Sequence, residues 1–341
     1  MTNARKVSLK KALRVIIIIT LIFILLSFSV TKIIYDAIFS RWDPEKSELS
    51  PELSALEESA EKYTFYSDGD LLCAYLYTAD ASPADSLVVI VPGFHSTHTD
   101  YLAVAESFRS AGRDVFIFDP TGCGDSGGQS CVGFARELFD LDAALDCIDE
   151  NFNYSHIFLL GHSRGGWAAC CALADGEHRI SAVAAVSAVN SPMESIIMPA
   201  ESRIGFAAYL NYPMLLLYQS MLFGSSHADD SAAEALCETD VPVLVVHAEN
   251  DEQVPADRYS LISHRTEIES DSVEYYICDD PDGDGHTGVL FSADGSADET
   301  LMTKIDTFFS DAAESGDKTA ERTDIHANDG RNRTDTGVYA G

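Results

Sequence analysis

Residues 156–166 read His156-Ile157-Phe158-Leu159-Leu160-Gly161-His162-Ser163-Arg164-Gly165-Gly166. The run Ile157–Leu160 is short, apolar and branched, the pattern of a buried strand. It breaks at Gly161, and a helix is expected to begin at once. A turn that tight leaves no room for side chains, which accounts for the glycines around Ser163. It thrusts the Ser163 hydroxyl outward, at the positive end of the next helix. The pentapeptide G-x-S-x-G alone is only moderately specific. Its place between strand and helix makes it a strong signal for a nucleophile.

Working outward, strand and helix patterns alternate. Tyr63–Ser67 and Leu71–Tyr77 read as an opening pair of strands, and Leu87–Val91 as a third that ends at Pro92-Gly93. Further strands are expected at Asp114–Phe118, Ile180–Val186, Val241–Val246 and Val273–Cys278. Helices are expected at Leu102–Ser110, Phe134–Phe152 and Thr300–Phe309. Short apolar runs joined by helices imply an α/β fold, with a mainly parallel central sheet covered on both faces. Reactive groups then belong at the carboxyl ends of the strands. The stretch 191–235 breaks the alternation and is dense in large apolar residues, so it reads as a helical cap over that edge.

A serine needs a base, and the base needs an acid to hold its tautomer. His286 lies in the glycine loop Gly283-Asp284-Gly285-His286-Thr287-Gly288, after the last strand. Asp251 follows the strand Val241–Val246, with Glu249 and Glu252 as rivals. The order Ser163, Asp251, His286 is the nucleophile–acid–base order of one particular fold. On these residues the chain resembles the α/β-hydrolases, over about residues 63–313. The closest resemblance is to bacterial, membrane-anchored serine hydrolases with an apolar cap. The segment Val88-Val89-Ile90-Val91-Pro92-Gly93-Phe94-His95 is similar to the family's loop after the third strand. That resemblance implies that the backbone N–H groups of Phe94 and Arg164 form the oxyanion hole. Asp119-Pro120-Thr121-Gly122-Cys123-Gly124-Asp125-Ser126-Gly127 is similar to the family's glycine-rich turn after the fourth strand. The family's spacing before Val254-Pro255 favours Asp251 over its rivals. Arg164 departs from the family, where many relatives carry an uncharged residue, and puts the local polarity in question.

The ends of the chain differ from its middle. The first 14 residues hold Arg5, Lys6, Lys10, Lys11 and Arg14 and no acid. Residues 15–35 form an apolar run of the ~20 residues a bilayer core demands, with Lys32 snorkelling. A cleaved secretory signal is the rival reading, but no small-x-small site follows the run. The charge bias places residues 1–14 in the cytoplasm, a single-pass anchor in the cell membrane, and the hydrolase domain outside. Residues 36–62 read as a linker, with Trp42 as an interfacial anchor and a short helix over 53–62. Residues 314–341 are polar and read as a disordered tail.

The chain carries 22 Lys and Arg against 55 Asp and Glu, a net charge of −33. Such a field disfavours nucleic acid as a partner. Hydrophobic residues make up 46 %, enough for a full core. Several other residues have plainer explanations than chemistry. His95 and His98 read as loop or rim residues, His247 as structural and His162 as packing beneath the nucleophile. Asp125 and Ser126 are expected to fix their turn. Asp280, Asp282 and Asp284 mimic a calcium loop, but its twelfth position is Phe291, so an EF-hand is rejected. These acids are expected to surround His286 and favour its protonated form. Eight cysteines include no C-x-x-C pair, and Cys123 with Cys131 is a candidate clip of one loop.

The expectation is therefore a membrane-anchored serine hydrolase acting on an ester or related acyl bond. It needs no cofactor and no metal. Its substrate is a small-molecule or lipid-like acyl compound. A peptidase, thioesterase or acyltransferase could use the same triad. A non-catalytic binding protein would require the ordered triad to be accidental.

Overall fold

The structure is a computed structural model that describes residues 3–44, 49–79, 84–174, 176–279 and 284–332. The strand before Ser163 lies inside an eight-stranded sheet. Its strands are β1 (Glu61–Ser67), β2 (Asp70–Tyr77), β3 (Ser86–Val91), β4 (Asp114–Phe118), β5 (His156–His162), β6 (Ala182–Val186), β7 (Val243–Ala248) and β8 (Val273–Cys278). They lie in the order β1-β2-β4-β3-β5-β6-β7-β8. From β4 to β8 every pairing is parallel, whereas β2 runs antiparallel to both β1 and β4. The β1–β2 hairpin turns on Asp68-Gly69, both at positive φ, as a tight two-residue hairpin requires.

Both faces of the sheet are buried, so its strands are apolar throughout. In β3, Leu87, Val89 and Val91 enter one core cluster while Val88 and Ile90 enter the other. One face is covered by α3 (Leu102–Ser110) and α9 (Glu299–Asn332), with Leu56 of α2 (Pro51–Ser59) added. The other is covered by α4 (Arg136–Asn151), α5 (Arg164–Cys171) and α8 (Ala232–Cys237).

The cap expected over 191–235 is found from Pro192 to Phe223, whereas the last residues of that range belong to α8 on the sheet. It consists of α6 (Pro192–Ile204), a 3-10 segment (Gly205–Asn211) and α7 (Tyr212–Phe223). Ser191 caps α6 by accepting from the Glu194 N–H, and Pro192 occupies the first turn, where no amide is needed.

The ends differ from expectation. The first helix, α1, spans Asn3–Ile38 and so passes the expected boundary at 35. Its stretch Lys10–Ile38 is long and apolar enough to cross a membrane. The next residues are docked rather than free. Phe39 is buried, and Arg41 donates to the carbonyls of Gly124, Ser126 and Gly128. Trp42 stacks on His95 at 4.7 Å and so packs on the loop after β3. Helix α2 ends at Ser59 because β1 begins at Glu61. Helix α9 spans Glu299–Asn332 and so enters the stretch read as a disordered tail, at whose start Lys318 and Glu314 pair one turn apart. Residues 333–341 lie outside the described residues.

Candidate active site

Three strand ends supply the three expected side chains. Ser163 stands between β5 and α5 at φ 55° and ψ −117°, a strained backbone for a residue with a Cβ. The turn closes only because its neighbours are small: a Cβ on Gly165 would lie 2.1 Å from the Val91 carbonyl oxygen. Asp251 follows β7 and His286 follows β8. Both are buried, and Ser163 is partly open.

The Ser163 hydroxyl donates to His286 Nε2 at 3.0 Å, and His286 Nδ1–H donates to Asp251 Oδ2 at 2.8 Å. The second oxygen of Asp251 accepts from the backbone N–H groups of Gln253 and Val254, at 2.9 and 2.8 Å. That carboxylate is thus fixed in orientation, and it fixes the tautomer that leaves Nε2 free to accept. The rivals Glu249 and Glu252 make no hydrogen bond to His286.

The backbone N–H groups of Phe94 and Arg164 donate to no other described residue. Arg164 is the first residue of α5, so its amide is an unpaired helix-start donor. Its side chain runs away from solvent into a buried contact with Glu137 of α4. The guanidinium also lies 5.4 Å from the Phe94 ring centre. The charge that departs from the family pattern therefore sits behind the site, where it ties the two oxyanion candidates together. Burial pushes the Glu137 carboxyl up, to about 8, against the pull of Arg164. For Arg164 the opposing effects fall the other way: burial is outweighed by the field of Glu137, and the guanidinium keeps its charge.

A second hydrogen-bond chain lies beneath the triad. The Gly93 N–H donates to the Tyr101 hydroxyl at 2.9 Å, and that hydroxyl donates to His162 Nδ1 at 2.9 Å. His162 Nε2–H then donates to the His286 carbonyl at 3.2 Å. Burial, aided by the nearby His286, holds the His162 pKa down at about 3, so the ring is neutral. His247 bonds the Val254 carbonyl at 2.8 Å and braces the acid loop. His98 pairs with Asp119 at 2.8 Å and stacks on Tyr75. Neither Tyr101 nor Glu137 was singled out from sequence. For Glu137 a signal existed, since an arginine beside the nucleophile needs a partner when buried.

Of the acids near His286, Asp284 is described and its role in the loop is visible. Asp284 turns its carboxylate to the backbone N–H groups of His286, Thr287 and Gly288, and so shapes the loop. Burial opposes ionisation there, but those donors prevail and hold its pKa below the usual carboxylate range. Asp280 and Asp282 lie outside the described residues. Ser126 bonds its own turn, accepting from the Cys73 N–H and donating to the Asp119 carbonyl. Asp125 instead holds Lys62 and Tyr75, each at 2.7 Å. Cys123 and Cys131 are free thiols whose sulfurs lie 3.6 Å apart.

Ser163 and His286 open into a cavity of about 690 Å³ lined mainly by apolar side chains, a size typical of small-molecule sites. Its walls come from the loop after β3, the cap and α1.

A family model described as "Serine aminopeptidase, S33" matches residues 82–215. An esterase of Pyrococcus furiosus is similar in structure, with a TM-score of 0.58 and 18 % identity over 80 % of this chain and 98 % of its own. The chain has the α/β-hydrolase fold. An α/β-hydrolase from Penicillium is also similar, with a TM-score of 0.53 and 19 % identity over 75 % of this chain and 99 % of its own. So is a proline iminopeptidase of Mycobacterium smegmatis, with a TM-score of 0.53 and 13 % identity over 75 % of this chain and all of its own. No curated protein matches the sequence.

Proposed function

We propose that this α/β-hydrolase-fold chain is a membrane-anchored serine hydrolase that cleaves an ester or related acyl bond. The observation that carries the reading is the continuous hydrogen-bond path from Ser163 through His286 to Asp251, on the floor of an apolar cavity. Ser163 attacks the acyl carbonyl while His286 Nε2 takes its proton. Asp251 stabilises the resulting imidazolium. The Phe94 and Arg164 amides receive the developing oxyanion, worth a few kcal/mol per donor in such sites. His286 then passes the proton to the leaving group. A water molecule, activated by the same imidazole, releases the acyl group from Ser163. The apolar helix at the N-terminus, with its basic flank, supports a single-pass anchor and an outward-facing catalytic domain.

The matched family description favours a peptidase as second reading. An aminopeptidase must hold a cationic terminal amine, and a carboxylate is the natural partner. Among the described residues lining the cavity there is none; the charged residues there are Arg203 and Arg164, whose guanidinium turns away to Glu137. This supports neutral acyl groups instead.

A fluorophosphonate probe tests the reading, because it reacts only with an activated serine. Wild type is expected to label and Ser163→Ala to be silent, with ester turnover lost by at least about a thousandfold. Folded wild-type protein that fails to label would refute it. Esters of rising chain length, then amides and thioesters, separate the alternative acyl chemistries.

A further inference from the structure

The helix read as an anchor is also a wall of the cavity. Val30, Thr31, Ile34, Tyr35 and Ile38 of α1 line the space above Ser163. The contact is specific. Asn211 of the cap bonds both Ser27 and Thr31, at 2.5 Å each. Tyr218 of α7 donates to Asp36 at 2.6 Å and accepts from Lys32 at 3.1 Å. The Tyr35 hydroxyl reaches Gln219 at 3.3 Å and accepts from the Phe134 N–H at 3.2 Å. Gly133 leaves the room for this approach, since a Cβ there would lie 2.2 Å from the Tyr35 hydroxyl. A helix that served only as a tether would need no such contacts.

Length then fixes the level of the cavity relative to a bilayer. The apolar run begins at Val15, and the ~20 residues a hydrocarbon core requires end at about Ile34. The lining residues of α1 straddle that limit. Ser27, which Asn211 holds, lies seven residues before Ile34, or ~10 Å down the helix axis at 1.5 Å per residue. The cap segment around Asn211, which bonds both Ser27 and Thr31, is therefore held within the outer ~10 Å of the hydrocarbon. There it presents Phe206, 80 % exposed, and Leu210, 76 % exposed. Ile34, Ile38 and Ile204 line the cavity and are themselves exposed, so its mouth is apolar. Large exposed apolar residues beside a membrane-spanning helix suit lipid rather than water.

We infer that the cavity is filled from the bilayer. Its substrate is a membrane-resident ester with a long acyl chain, which lies against α1 with its carbonyl at Ser163. The inference rests on the serine-hydrolase reading and adds the substrate class and its route.

The test uses the full chain in phosphatidylcholine vesicles and two esters. One is p-nitrophenyl butyrate in the aqueous phase; the other is p-nitrophenyl palmitate dissolved in the vesicles. Phe206 and Leu210 do not line the cavity. The double variant Phe206→Asp/Leu210→Asp should lower palmitate turnover by at least about tenfold. Butyrate turnover and fluorophosphonate labelling should stay at wild-type levels. Ile34→Trp, which narrows the α1 wall, should lower the palmitate-to-butyrate ratio by a similar factor while Ser163 still labels. Labelled variants that keep their palmitate rate, or lose both esters alike, overturn the inference and leave the hydrolase reading standing. A double variant that converts a dimer to a monomer with both rates intact assigns the cap face to a second copy and also overturns it. Wild type that fails to label removes the hydrolase reading, and this inference with it.

Discussion

Arg164 illustrates how one side chain can serve a site without entering it. Its amide faces the cavity, while its guanidinium is buried against Glu137 and beside the Phe94 ring. Two guanidinium nitrogens and one Glu137 oxygen have no partner among the described residues. Burying charges is costly, and such a pair stabilises mainly relative to the state with one partner removed. Arg164→Met should therefore destabilise the protein by about 3 kcal/mol, toward the low end of that range, because burial already pushes the Glu137 carboxyl up to about 8 and it is left neutral rather than as a buried lone charge. Arg164→Met/Glu137→Leu should recover most of the loss, to within about 1 kcal/mol of wild type. Denaturant unfolding of the three variants measures this. A double variant no more stable than the single one would show that the pair is not the reason for the loss. Activity should fall in both, since Phe94 loses the cation that steadies it.

The elements around the triad are joined by the chain from Gly93 through Tyr101 and His162 to the His286 carbonyl, which links the loop after β3, the end of β5 and the loop after β8. It requires His162 to be neutral, and burial keeps it so with a pKa of about 3. The sign of the pH effect follows. The unfolded chain protonates this imidazole below about pH 6.5 while the folded chain does not until about pH 3, so unfolding takes up a proton in that window. His162 thus contributes stability above pH 6.5 that is lost as pH falls, at up to about 1.4 kcal/mol per unit. His162→Gln should make the decline of unfolding free energy from pH 6 to 4 shallower by about one proton. An unchanged slope would contradict the assignment. Much of this level was legible in sequence. Asp114–Phe118, Val273–Cys278 and Leu102–Ser110 are found at the expected bounds, because each is an apolar run ended by a sharp break in pattern. The cap at 191–235 was legible as a failure of alternation. The Tyr101 link was not, since nothing local marks a tyrosine whose partner His162 lies 61 residues away in the chain. The docking of α1 on α7 was hidden for a similar reason: an apolar run reads the same whether lipid or protein covers it, and only Asn211, Tyr218 and Gly133 decide.

The whole molecule separates its charges. The first 14 residues carry five cations, while residues 63–313 hold 9 basic and 41 acidic residues, a net −32. The residues around Ser163 account for almost none of this. Asp251 is spent on His286 and Asp284 on its own loop. Several cations of the domain are held in ion pairs, as Arg136 is by Asp68 and Asp140 and Arg113 by Asp306. The surplus acid is therefore surface charge facing like charge, which repels itself and weakens the compact state. Salt should relieve it, because the screening length falls from about 30 Å at 0.01 M to about 10 Å at 0.1 M. Added NaCl also weakens the attractive surface pairs, but an exposed pair contributes only about 0–1 kcal/mol, and the acids outnumber the bases more than four to one. Repulsion should dominate the sum. The melting temperature of the full chain in a non-ionic detergent should accordingly rise between 0.01 and 0.3 M NaCl by a few degrees, most of it below about 0.1 M, where the screening length changes fastest. Using an uncharged detergent keeps the micelle out of the comparison. A melting temperature that stays flat or falls over this range would mean that the acidic surface is already neutralised by the fold, and the self-repulsion argued from composition would have to be abandoned.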